Sequence, residues 1–230
     1  MSGTQFKKWI PKKFKRPVKD ALLRRTLARA ISKIAHLADG EIPNRELLAL
    51  LIEGWSNEGF EANIEYLEEV ARRTVDAQGN ILECGSGVTT LLMGLLCAKR
   101  RTQVWSLENS VEWQDRVTKV LNTNAISQAQ VCYSPLVEYG DFSWYDPPLT
   151  KLPQKFSLVI CDGPPGTTKG GRYGLLPVMR QRFELGTIIL LDDAGRPGEI
   201  DLIKHWQEEA RFETTVVDKG GHVFAMMRYS

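Results

Sequence analysis

Residues 80–90, Asn-Ile-Leu-Glu-Cys-Gly-Ser-Gly-Val-Thr-Thr, constrain this chain more than any other stretch. A short apolar run ends in the acid Glu83, turns through Gly85 and Gly87, and enters an apolar segment opened by Thr89 and Thr90. The pattern predicts a strand, a tight turn and a helix N-terminus. In it the glycines let backbone approach a ligand where a Cβ would collide, and one threonine caps the helix. Nicotinamide and flavin folds place glycine where Glu83 stands and add a third glycine three residues after the second, a position held here by Thr90. A carboxylate in the mouth of the turn would repel a pyrophosphate and attract an ammonium, so the ligand it suits carries an amino-acid group.

Beyond this turn, apolar runs and helical patterns alternate. Strands are expected at 81–84, 103–107, 129–133, 156–161 and 187–191, with helices at about 89–100, 111–123, 174–184 and 199–210. Two last runs, 212–217 and 222–228, flank Asp218-Lys219-Gly220-Gly221 and read as an antiparallel hairpin. The fold class is therefore α/β, a doubly wound Rossmann-like sheet of seven strands closing on a C-terminal hairpin. Three helices are expected ahead of it, at 18–37, about 44–53 and about 61–74, after a mobile stretch of 17 residues. Residues 1–60 are read as a basic extension with helices and 61–230 as the ligand-binding domain.

Charge divides along the same line. Residues 1–33 carry eleven Lys or Arg against one acid, Asp20, which leaves eight net negative charges on the rest of a chain whose total is +2. Nucleic-acid binding by an acidic body is disfavoured. The helix from 18 to 37 is amphipathic, with Leu23, Leu27, Ile31 and Ile34 on one face and Arg25, Arg29 and Lys33 on others. It reads either as a packed helix with a solvated basic face or as a peripheral contact with an anionic membrane. No run is long and apolar enough to span a bilayer, and the basic start lacks a secretory signal's apolar core. Cys84, Cys97, Cys132 and Cys161 lie in apolar segments without Cys-x-x-Cys spacing, so they read as reduced core residues of a cytoplasmic protein.

The chemistry-bearing residues cluster after the expected strands. Glu108 follows the second strand, where an acid accepts hydrogen bonds from two adjacent ribose hydroxyls or caps the next helix beside Asn109 and Ser110. Asp162 follows the fourth, and Asp192 and Asp193 the fifth. Three carboxylates at neighbouring strand ends need a cation, a proton or ample water to offset their repulsion. Between them, residues 167–173 form a glycine-rich basic loop, either a lid whose Lys169 and Arg172 meet an anionic substrate or a solvated loop. His36, His205 and His222 are scattered, and His205 and His222 read as structural.

Together, E-C-G-S-G, Glu108, D-G-P-P-G and L-L-D-D resemble the class I S-adenosylmethionine-dependent methyltransferases, over about 61–230. The resemblance implies that Glu83, Gly85, Ser86, Gly87 and Thr89 line the methionine part of the cofactor. It implies further that Glu108 meets the ribose with Asn109 beside it in the cofactor site, that Leu136 in Ser134-Pro135-Leu136 flanks adenine, and that Asp162 faces the methyl-transfer centre. It is similar to the cation-dependent O-methyltransferases of the catechol type. That similarity implies a divalent cation such as magnesium on Asp162, Asp192 and Asp193, although this family commonly has Asn at the position of Asp193 and no histidine follows Asp162. The implied activity is O-methylation of a small-molecule or sugar hydroxyl, with Asp162 as base or metal ligand. A nicotinamide-dependent oxidoreductase and a catalytically silent binding protein are the rival readings.

Overall fold

The structure is a computed structural model that describes residues 12–56 and 62–230, with side chains from residue 19 onward. Its strands in chain order are β1 (Ile81–Cys84), β2 (Val104–Glu108), β3 (Ala129–Tyr133), β4 (Leu136–Glu138), β5 (Ser143–Tyr145), β6 (Phe156–Cys161), β7 (Phe183–Leu191), β8 (Phe212–Lys219) and β9 (His222–Tyr229). The helices are α1 (Lys12–Ala35), α2 (Arg45–Trp55), α3 (Ile64–Asp76), α4 (Val88–Leu96), α5 (Val111–Thr123), α6 (Leu175–Met179) and α7 (Pro197–Glu209). Seven strands form one sheet in the order β3-β2-β1-β6-β7-β9-β8, parallel except that β9 runs antiparallel to both β7 and β8.

Strand alternation sends successive side chains to opposite layers. Ile81, Leu158, Ile160 and Leu190 pack with α2, α3 and α4 through Leu48, Leu51, Leu67, Val70 and Leu91. Leu82, Cys84, Val159 and Cys161 pack on the other side with Leu175, Leu176 and Trp206 of α6 and α7. Ala30, Ile31 and Ile34 of α1 belong to the first of these clusters, so the C-terminal half of that helix is core. The seam expected at residue 60 lies outside the described residues.

Chain direction fixes where a ligand can sit. From β1 the chain winds outward to β2 and β3, then crosses back to β6 on the other side of β1. The crevice outside the carboxyl ends of β1 and β6 is the topological switch point, where open α/β sheets bind ligands. Register gathers the rim there: Cys84 pairs with both Leu107 and Cys161, and Cys161 pairs with Leu191.

Three expectations need correction. The first helix starts at Lys12 rather than 18, so 12–17 is helical backbone; the rest of the stretch expected to be mobile lies outside the described residues. The helix expected over 174–184 shrinks to α6 and a 3-10 turn, Arg180–Arg182, because β7 begins early, at Phe183. That strand bulges at Gly186 (φ +88°), where the Thr187 hydroxyl accepts from Glu184 N and donates to Phe156 O. The antiparallel hairpin of β4 and β5 has no counterpart among the expected elements. All four cysteines are free, three buried and Cys132 half-buried.

Candidate active site at the switch point

The glycine turn is stitched from below. Glu83 precedes the last residue of β1, so its side chain points under α4, where it is fully buried. Its Oε1 accepts from the Thr89 hydroxyl and its Oε2 from the hydroxyls of Thr90 (2.6 Å) and Ser106. Burial pushes its carboxyl up to about 7, with the Ser106, Thr89 and Thr90 hydroxyls pulling the other way. This corrects the expectation that Glu83 faces a ligand's ammonium: no surface of the carboxylate is open, and its work is to pin the first turn of α4. Thr89 is thereby turned inward as well, while Thr90 Oγ1 also accepts from Gly87 N at 2.9 Å, closing the helix start.

Above this anchor the turn is bare. Gly85 has φ +88°, and a Cβ there would touch Gly163 N at 3.4 Å and Asp162 C at 3.6 Å. A Cβ on Gly87 would meet nothing within 4 Å, which leaves an open cradle beside the turn. Glu108 flanks it, 5% exposed, with Oε2 accepting from Ser86 N (3.1 Å) and Ser86 Oγ (2.8 Å) and Oε1 from Ser110 N (2.9 Å) at the start of α5. Glu108 thus holds Ser110, the residue whose side chain caps α5, and also ties β2 to the turn. Asn109 beside it is half-buried. Ser134 N donates to Glu108 O at 2.7 Å and brings Leu136, half-buried at the head of β4, toward the same edge.

Across Gly85 stands the acidic group. Arg172 reaches into it from the loop after β6 with only 3% of its side chain exposed. Its Nη1 donates to Asp192 O (2.5 Å), and its Nη2 contacts Asp162 O (3.0 Å), Asp162 Oδ1 (3.1 Å) and Asp193 Oδ2 (3.3 Å). Asp193, held at φ +56°, is paired on its other oxygen with Arg196 Nη2 at 2.9 Å. Asp192 Oδ1 lies 2.6 Å from His222 Nε2. Burial, then the Asp192 charge, push the Asp162 carboxyl up to about 8. Its side chain is 46% exposed, so water in the mouth screens part of that rise. Asp192 is raised too, by burial and then by Asp193, with His222 opposing.

No family model matches this chain, and none of the curated proteins compared does. Solved structures do. A precorrin-6y C5,15-methyltransferase from Geobacter metallireducens superposes with a TM-score of 0.58 at 10% identity, covering 76% of this chain and 92% of that one. The Podospora anserina methyltransferase PaMTH1, solved with S-adenosylhomocysteine, gives 0.55 at 13% identity over the whole of both chains. A Staphylococcus aureus protein provisionally assigned as a caffeoyl-CoA O-methyltransferase gives 0.56 at 13%, covering 81% of this chain and 92% of that one. The fold is that of the class I methyltransferases.

In that fold the expected residues separate into two groups. The turn, Glu108 and Asp162 come together around the switch point, whereas Lys169 does not join them. Its Nζ donates to Gly140 O at 2.7 Å in the β4–β5 connection, and Ser143 N donates to Lys169 O at 2.9 Å, so Lys169 fastens the loop to that hairpin. Nor is Arg172 a lid residue awaiting an anion, since its guanidinium is buried among carboxylates of the protein. The expected metal set is split by it: Asp162 lies on one side, while Asp192, Asp193 and His222 offer ligand atoms within 4.8 Å of one another on the other. Both oxygens of Asp193 already face Arg172 and Arg196, Asp192 Oδ1 faces His222 and Asp162 Oδ1 faces Arg172, so the donor set as built does not fit a divalent cation on Asp162, Asp192 and Asp193.

Sequence reasoning read His222 as structural and did not place it against Asp192. The signal was present, because β9 runs antiparallel beside β7 with Ala225 opposite Leu191, which places the start of β9 just past the end of β7. It also missed the β4–β5 hairpin, whose Tyr145 packs its hydroxyl into the space a Cβ on Gly163 would need. A cavity of about 560 Å³ opens beside Arg172, between Phe142, Tyr173, Glu199 and His205. None of its lining residues belongs to the turn at Gly85–Gly87, which lies at the switch point.

Proposed function

We propose that this protein is an S-adenosylmethionine-dependent methyltransferase acting on the hydroxyl of a small molecule or sugar. The observation that carries the reading is the bare turn at Gly85–Gly87, flanked by Glu108 on β2 and faced across Gly85 by Asp162 just after β6. When bound, the cofactor supplies an electrophilic sulfonium methyl. Gly85, Ser86 and Gly87 would border its methionine part, Glu108 would accept from its ribose through the lone pairs that Ser86 and Ser110 leave free, with Asn109 beside it, and Leu136 would border the adenine side. The S-adenosylhomocysteine held by the Podospora protein supports the same assignment.

Asp162 is the residue for proton removal. Its Oδ1 is held by Arg172, its Oδ2 has no hydrogen-bond partner among the described residues, and nearly half of its side chain is open to the mouth. The upward-shifted carboxyl strengthens it as an acceptor of the hydroxyl proton, provided the pH leaves it ionised. Holding acceptor and methyl donor in line would supply roughly 7 to 11 kcal/mol of the barrier reduction.

Calorimetry with S-adenosylhomocysteine and with NADH tests the assignment. Binding of the first and not the second is expected, and Gly87→Val abolishes it in a protein that stays folded, because a Cβ there meets no protein atom within 4 Å and the side chain enters the open cradle. Binding of NADH alone would return the chain to the oxidoreductases. Binding without any turnover across hydroxyl acceptors would favour a silent binding protein.

A further inference from the structure

We propose that Arg172 is a positioning residue that takes the place of a divalent cation, so that methyl transfer in this protein is cation-independent. The inference rests on the methyltransferase reading above. Three carboxylates converge on the rim, and repulsion among them must be offset. The guanidinium of Arg172, 3% exposed, lies 3.1 Å from Asp162 Oδ1 and 3.3 Å from Asp193 Oδ2 and donates to the main-chain oxygens of Asp162 and Asp192. Its planar fork bridges the ends of β6 and β7 as a metal ion bridges ligands. Glu199, 7% exposed at the start of α7, adds a further carboxylate 3.9 Å from Arg172 Nε.

The substitution changes what the site can recognise. A hexacoordinate cation keeps open positions for acceptor oxygens, so a vicinal diol can chelate it. Here both terminal nitrogens of Arg172 are engaged by the protein, and Nε is buried without a hydrogen-bond partner. No acceptor oxygen reaches the positive charge directly. The charge acts through Asp162, fixing Oδ1 and turning Oδ2 to the mouth, which suits an acceptor presenting a single hydroxyl rather than a chelating pair.

The test is Mn2+ binding, followed by the electron paramagnetic resonance signal of the free ion and by thermal shift, in the full-length protein. The wild type is expected to show no saturable Mn2+ binding at millimolar ion. Arg172→Met, in which the acids lose their internal cation, is expected to gain it, with Mn2+ raising the melting temperature of the variant and not of the wild type. Should Arg172→Met not fold, the wild-type titration stands by itself. Saturable Mn2+ binding to the wild type that Asp162→Asn or Asp193→Asn abolishes would overturn the proposal. S-adenosylhomocysteine binding, measured in parallel, separates the two readings: its loss in the wild type sinks the methyltransferase assignment, while Mn2+ binding alongside intact S-adenosylhomocysteine binding sinks only the role of Arg172.

Discussion

A carboxylate with no exposed surface, satisfied by three hydroxyls, is a proton reservoir whose sign can be worked out. Glu83 titrates near 4.5 in the unfolded chain and is raised to about 7 in the folded one. The folded state therefore holds the extra proton between those values, and stability from this group is full below about 4.5 and lost as the pH climbs through about 7. Glu83→Gln keeps the shape and removes the proton. The stability difference between wild type and variant should shrink by up to about 3 kcal/mol between those limits, read from denaturant melts across the range; parallel curves would mean Glu83 is ionised when folded. Gly163 makes a second residue-level case, because a Cβ there would lie 2.3 Å from Tyr145 Oη and 3.1 Å from Cys84 O. Gly163→Ala should cost about 1 to 3 kcal/mol by overpacking, and Tyr145→Phe in the same chain should return part of it. Equal loss in single and double variants would assign the cost to backbone conformation instead.

Elements are joined to the turn by one aromatic clamp. Arg116 of α5 sits over the rings of Trp55 (4.7 Å) and Trp113 (4.6 Å) and donates to Trp55 O (2.8 Å) and Ser56 O (3.1 Å), while Trp113 Nε1 donates to Ser86 O (2.6 Å). The end of α2, the face of α5 and the glycine turn are thus coupled. Arg116→Ala should lower stability by about 1 to 3 kcal/mol and weaken S-adenosylhomocysteine binding several-fold in calorimetry; an unchanged dissociation constant would confine the clamp to packing. None of this coupling was legible from sequence, for a physical reason. The strands β1, β3 and β6 were readable to the residue because their apolar runs are local and bounded by turn residues, and the terminal hairpin was readable from Gly220-Gly221. The direction of Glu83 was not, since a one-residue difference in where β1 ends sends its side chain to the opposite face. Arg172 was misjudged because a basic residue in a glycine-rich loop gives no local sign of the carboxylates that topology folds around it. His222 becomes visible only when β9 is known to insert beside β7.

At the scale of the whole molecule, charge is unevenly placed. Arg24, Arg25, Arg29 and Lys33 of α1 are exposed, and Leu22 on the same helix is 61% exposed, whereas Ala30, Ile31 and Ile34 are buried in the core. Among the described residues no helix is long and apolar enough to cross a membrane. The exposed face of α1 offers what a surface-bound helix needs, cations near the exposed Leu22, while Ala30, Ile31 and Ile34 on its buried face fasten it to the domain. Peripheral docking on an anionic membrane is our proposal for this face. Removing residues 1–33 would not test it, because the cut destroys core contacts of Ala30 and Ile31. The triple change Arg24→Gln, Arg25→Gln and Arg29→Gln leaves that core intact. At about 1 kcal/mol per cation near an anionic surface, the triple variant should partition onto phosphatidylserine-containing vesicles about 100-fold more weakly than the parent. The difference should fade as salt shortens the screening length from about 10 Å at 0.1 M to about 3 Å at 1 M. Sedimentation on phosphatidylserine and on pure phosphatidylcholine vesicles, with melting temperature as the control for folding, reads both effects. Equal pelleting of parent and variant on the anionic vesicles would return α1 to a packed helix with a solvated basic face.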